Sequence, residues 1–131
     1  MITTVTADRP ARTPTILVVD DSETVCELLQ LLLETAGYEV LLAADGDAAI
    51  HLIRESKPDL AIVDIEMPYL SGDEFVAAVR SDPSTADLRV IFLSSREDLA
   101  DHAKLLNAVA YLPKPVMADR LLEVVASHVV R

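Results

Sequence analysis

Five short apolar runs punctuate the chain, and stretches with apolar residues every three or four positions separate them. TILVVD, residues 15–20, is β-branched and uninterrupted, the pattern of a strand covered on both faces in a parallel sheet. After it Val25, Leu28, Leu29, Leu32 and Ala36 fall at helical spacing, and Gly37 supplies a helix stop. YEVLLA, residues 38–43, predicts a second strand, followed by a helix from an N-cap at Asp45 to about Ser56, with Pro58 breaking it. LAIVD, residues 60–64, predicts a third strand, and a loop with Met67, Pro68 and Gly72 leads to a helix carrying Phe75, Val76 and Val79. LRVIFLS, residues 88–94, then a helix bearing Leu99, Ala103 and Leu106, VAYL, residues 109–112, and an amphipathic helix from Leu121 to Val130 complete the series.

Five strands alternating with five helices predict an α/β fold: (βα)5, a doubly wound five-stranded parallel sheet with the flavodoxin-like order 2-1-3-4-5. Residues 1–13 lack any apolar period and are expected to form a flexible N-terminal tail, leaving residues 14–131 as one domain. The length of 131 residues suits a single core.

Composition narrows the function classes. A net charge of −11 argues against a general nucleic-acid-binding surface, which needs a basic patch. No apolar run approaches the ~20 residues of a membrane span, and the N-terminus lacks the apolar core of a signal peptide. A cytoplasmic protein without membrane contact is the expectation. Cys26 is the one cysteine, which rules out an internal disulfide and a thiolate zinc cluster.

In doubly wound sheets ligands sit beyond the carboxyl ends of the strands. Asp20 and Asp21 close the first run, Asp64 the third, Ser94 and Ser95 the fourth, and Lys114-Pro115 follows the fifth. Three carboxylates at one edge favour a divalent cation, and oxygen-only ligands favour Mg²⁺, with Mn²⁺ acceptable. An ammonium and a hydroxyl beside them suit a phosphoryl group, and a carboxylate can itself act as the nucleophile, giving an aspartyl-phosphate.

VVDD at 18–21, D-x-x-M-P at 64–68, Ser94 and Lys114-Pro115, in that order and spacing, resemble the receiver domain of two-component response regulators of the chemotaxis-regulator type. The resemblance covers roughly residues 14 to 130. It implies that Asp64 is the phosphoacceptor, taking phosphate from a sensor histidine kinase or a phosphotransfer protein. It further implies Mg²⁺ on Asp21, Asp20, Asp64 and the Glu66 backbone carbonyl, with Ser94 and Lys114 binding the phosphoryl group and a cis peptide at Pro115. Ser94 and Tyr111 would form the switch, altering the face made by the fourth helix, fifth strand and fifth helix for a downstream protein partner. Because the chain ends with its fifth helix, either a stand-alone receiver or one excised from a regulator with an effector domain is expected. Glu66 and Arg96, two residues after the phosphoacceptor and the switch hydroxyl, are expected to pair and slow dephosphorylation. Such a domain is a signalling module, catalysing only its own phosphorylation and slow dephosphorylation.

The main rival is a Mg²⁺-dependent aspartyl-phosphate phosphatase of the haloacid dehalogenase type. That chemistry needs a second aspartate two residues after the nucleophile, where this chain has Glu66. Flavodoxin-like and Rossmann cofactor binding fit poorly, since Asp-Asp-Ser-Glu follows the first strand where a phosphate-binding loop would be needed.

Overall fold

The computed structural model describes residues 13–67, 72–95 and 107–129. Strands β1 (Thr15–Val19), β2 (Glu39–Ala43), β3 (Leu60–Asp64), β4 (Arg89–Ser94) and β5 (Ala110–Pro113) form one parallel sheet ordered β2-β1-β3-β4-β5. Helices α1 (Glu23–Thr35), α2 (Gly46–Ser56), α3 (Gly72–Ser81) and α4 (Ala118–His128) cover it. The helix expected around Leu99, Ala103 and Leu106, like the expected tail through residue 12, lies outside the described residues.

Strand alternation explains why the runs are apolar throughout. Leu17 and Val19 of β1, Ala61 and Val63 of β3 and Val90 and Phe92 of β4 pack with Ile53 of α2 and Phe75 and Val79 of α3. The intervening residues, Ile16, Val18, Leu60, Ile62, Ile91 and Leu93, join Leu29 and Leu33 of α1 and Leu121 and Val125 of α4 on the other face. Each central strand therefore has no solvent side on which to place a polar residue.

Local chemistry sets the element ends. Ser22 Oγ accepts from the Val25 N–H at 3.2 Å and Asp45 Oδ1 from the Ala48 N–H at 2.8 Å, capping α1 and α2. Gly37 ends the first helical segment at φ +99°, and Lys57 closes α2 at φ 48°, one residue before Pro58. Asn107 takes the same left-handed region at φ 59° at the entry to β5.

Five elements have boundaries that differ from the sequence reading, with β2 starting at Glu39 rather than Tyr38 and β4 at Arg89 rather than Leu88. β1 stops at Val19, and β5 runs one residue later than VAYL, over Ala110–Pro113. The closing helix starts at Ala118, not Leu121, and ends at His128, where Val129 turns extended. Leu121 is its first buried residue, so apolar periodicity marked the onset of packing rather than of the helix, whose first turn, Ala118–Arg120, is exposed.

Phe92 is wholly buried in β4, paired with Val63 and Tyr111. Phe92→Ala is expected to cost ~3–5 kcal/mol of unfolding free energy, read as a lower urea midpoint with an unchanged m-value.

Candidate functional site

The alternation that fills the core also aims the site. Continuing the Ile16–Val18 face past β1 reaches Asp20, the Leu60–Ile62 face reaches Asp64, and the Leu112 face of β5 reaches Lys114. Because the strands are parallel and in register, all three emerge at the same carboxyl edge. Backbone bonds fix their heights: the Asp20 N–H donates to the Ala43 carbonyl at 3.1 Å, Ile65 N–H to Leu93 at 3.0 Å, and Lys114 N–H to Ser94 at 3.0 Å. The Lys114-Pro115 peptide is cis.

The side chains meet there. Lys114 Nζ lies 3.1 Å from Asp64 Oδ2 and 3.6 Å from Asp20 Oδ2. Asp64 Oδ1 accepts the Glu66 backbone N–H at 3.0 Å, and Asp20 Oδ1 accepts the Ser22 N–H at 2.8 Å. Asp20 and Asp64 are only 1% and 2% exposed, whereas Asp21 is exposed. One carboxylate oxygen from each of Asp20, Asp21 and Asp64 falls within 4.8 Å of the others.

The electrostatics are unbalanced. Burial pushes the Asp20 carboxyl above its usual range; the Asp64 and Asp21 charges add to this, against the Ser22 hydrogen bond and Lys114. Burial works to lower Lys114, but its hydrogen bond to Asp64 and the charges of Asp20, Asp64 and Glu66 prevail, and its pKa is raised. Asp20 Oδ2 is buried without a hydrogen bond among the described residues, since 3.6 Å to Lys114 is too long for one. An orphaned buried oxygen in a cluster of three carboxylates fits a hard divalent cation such as Mg²⁺ or Mn²⁺, with Asp20, Asp21 and Asp64 able to hold it.

Ser94 and Tyr111, expected to form a switch, lie on the opposite face of the sheet. Ser94 shares the alternation of Phe92 and is fully buried, while Tyr111, the β5 partner of Phe92, is 46% exposed. Glu66 does not extend towards the acidic cluster: its carboxylate accepts from the Ser94 hydroxyl at 2.7 Å and from the Ser95 N–H at 2.9 Å. The Ser95 and Ser94 hydrogen bonds hold Glu66 below the usual carboxylate range, against a small burial effect and with help from Lys114. Arg96, its expected partner, lies outside the described residues. Sequence reasoning thus missed Ser95 as a contact of Glu66, although the Ser94-Ser95 doublet at a strand end was a visible signal. It also gave no role to Ser22, which ties Asp20; Cys26, expected to be a small packing or boundary residue of the first helix, is buried there and its Sγ donates to the Asp20 carbonyl at 3.3 Å. Burial and the Asp20 charge push the Cys26 thiol up to about 11, so it is a packing group and not a nucleophile.

A parallel sheet of this order, with a buried acidic pair and a lysine at its carboxyl edge, defines the class of receiver-type α/β domains. The family model described as response regulator receiver domain matches residues 16–126, and the chain belongs to that family. Among curated proteins, Protein PilG of Pseudomonas aeruginosa is 34% identical over 116 residues, covering 87% of this chain and 86% of that protein. Response regulator MprA of a Mycobacterium species is 40% identical over 109 residues, covering 82% of this chain and 46% of MprA, so the chain spans about half of that regulator. Among solved structures, chemotaxis protein CheY4 of Vibrio cholerae superposes with a TM-score of 0.84 at 30% identity, covering 90% of this chain and 100% of that chain. A response regulator from Chloroflexus aurantiacus gives 0.84 at 34% identity, covering 92% and 100%. The chain is therefore a two-component receiver domain, a signalling module, and the phosphatase reading is not favoured. Among the described residues no helix is long and apolar enough to cross a membrane.

A raised pKa means that ionised Asp20 opposes folding: its contribution is most favourable below the unfolded carboxylate pKa and is lost as pH rises through the folded value. Without divalent cations, Asp20→Asn should therefore melt at a higher temperature than wild type at neutral pH. The gap should close on acidification through the carboxylate range, as thermal melts across pH will read.

Proposed function

We propose that the chain is the phosphoacceptor of a two-component or phosphorelay system, with Asp64 taking a phosphoryl group from a phosphohistidine of a sensor kinase or phosphotransfer protein. The observation that carries this reading is Lys114 Nζ 3.1 Å from Asp64 Oδ2, at the rim of a carboxylate cluster with an orphaned oxygen. An Asp64 carboxylate oxygen attacks phosphorus, a P–O bond forms, the P–N bond to the histidine breaks, and the imidazole leaves with the bonding pair. Lys114 neutralises one phosphoryl oxygen, and its ammonium is already held in place by the two buried aspartates. A bound Mg²⁺ would add charge neutralisation on the phosphoryl oxygens. The Glu66 N–H fixes the rotamer of Asp64 by holding Oδ1, leaving Oδ2 on the lysine side.

Ser94 and Tyr111 act as the switch in this reading. With Ser94 buried and Tyr111 exposed, engagement of the Ser94 hydroxyl by the phosphate would be followed by an inward turn of Tyr111. The β5–α4 surface, with the helix expected before it, then presents a changed face to a downstream protein or effector domain. The Glu66 position works against haloacid-dehalogenase chemistry: a carboxylate committed to Ser94 and Ser95 is poorly disposed to act as the acid for a leaving group. Glu66 and Arg96 retain a proposed role in setting phosphate lifetime.

Incubation with Mg²⁺ and acetyl phosphate is expected to add one phosphate to the wild type and none to Asp64→Asn, by intact mass. Lys114→Ala should keep the fold but slow uptake by roughly 100-fold, the scale of losing one preorganised charge contact in a reacting site. A wild type that gains no phosphate overturns the reading.

A further inference from the structure

Glu66 joins two parts of the site that the phosphotransfer itself treats separately. Its backbone N–H is on Asp64 Oδ1 at 3.0 Å, while its side chain crosses to the end of β4. There Oε1 accepts from the Ser94 hydroxyl at 2.7 Å, the Ser95 N–H at 2.9 Å and the Ser95 hydroxyl at 3.1 Å, and Oε2 lies 3.3 Å from the Ser95 hydroxyl. A serine hydroxyl has one proton to donate, and here the Ser94 proton is directed at a carboxylate. Hydrogen bonds to an ionised acceptor are about twice as strong as neutral ones. Ser94 is buried but Glu66 and Ser95 are exposed, so the contact can open without unpacking the core.

We infer that Glu66, anchored by Ser95, is a latch on the Ser94 hydroxyl, so that a phosphoryl group on Asp64 must displace the Glu66 carboxylate to engage the switch. This inference rests on the proposed phosphorylation of Asp64. Two acceptors then compete for one donor, and the strength of the Glu66 contact sets how far phosphorylation shifts the population. Glu66 and Ser95 are positioning residues: neither transfers the phosphoryl group, and their effect is on the availability of Ser94. The backbone of residue 66 stays on Asp64 while its side chain leaves β4, so the latch can open without disturbing the phosphoacceptor.

Beryllofluoride with Mg²⁺, a phosphoryl mimic that needs no covalent step, provides the test. Glu66→Ala should bind it roughly tenfold more tightly than wild type, the scale of removing one charge-assisted competitor. Ser95→Ala keeps the Glu66 charge but loses an anchor, and should tighten binding by a smaller factor. Glu66→Gln, whose amide oxygen can still accept from both serines, should fall between wild type and Glu66→Ala. Equal gains in the Gln and Ala variants, with Ser95→Ala matching wild type, would assign the effect to charge alone and overturn the latch. Unchanged or weaker binding by Glu66→Ala overturns it too. These results differ from failure of the underlying reading, in which wild type takes neither beryllofluoride nor phosphate from acetyl phosphate, and the latch falls with it.

Discussion

Two buried carboxylates share one ammonium at the carboxyl edge of the sheet, and the rest of the molecule is arranged around that imbalance. Lys114 sits within hydrogen-bonding reach of Asp64 but only in ion-pair range of Asp20, so among the described residues one buried oxygen lacks a hydrogen-bond partner. A fold selected for stability alone would not keep such a pair, because an uncompensated buried charge costs several kcal/mol. The cost is borne by an apolar sheet packed on both faces, whose side chains are fixed tightly enough to hold the acids in place. A site that is short of positive charge is one that a hard cation would fit.

The acidic cluster and the proposed switch residues continue opposite faces of the sheet. Asp20, Asp64 and Lys114 continue the face packed by α1 and α4, whereas Ser94 and Tyr111 continue the face packed by α3. Residues that bridge the strand ends connect the two faces. Glu66 is such a bridge, bonded through its backbone to Asp64 and through its side chain to the end of β4.

Most of the architecture was legible in the sequence because a parallel sheet covered on both faces leaves an unmistakable trace. Runs such as LAIVD and RVIFLS cannot be placed at a surface, and the polar residues that end them, Asp64 and Ser94, lie at the one open edge. Asp45 and Gly37 announced their helix ends by capping and φ preference, which are properties of single residues. The start of α4 was less visible, because its exposed first turn carries no apolar signal.

What the sequence by itself determined was the set of residues at the carboxyl edge and their order across the sheet. Both follow from period-two alternation and strand topology, which are local rules. Tertiary structure alone decided which oxygen each donor reaches: that Lys114 favours Asp64 over Asp20, that Asp20 keeps an oxygen without a hydrogen bond among the described residues, and that Glu66 turns to Ser94 and Ser95. Those outcomes depend on separations of a few tenths of an ångström between residues 28 to 94 positions apart in the chain, across which no local rule acts. Hydrogen bonds and desolvation change steeply over such distances, so the final assignment of partners belongs to the folded packing.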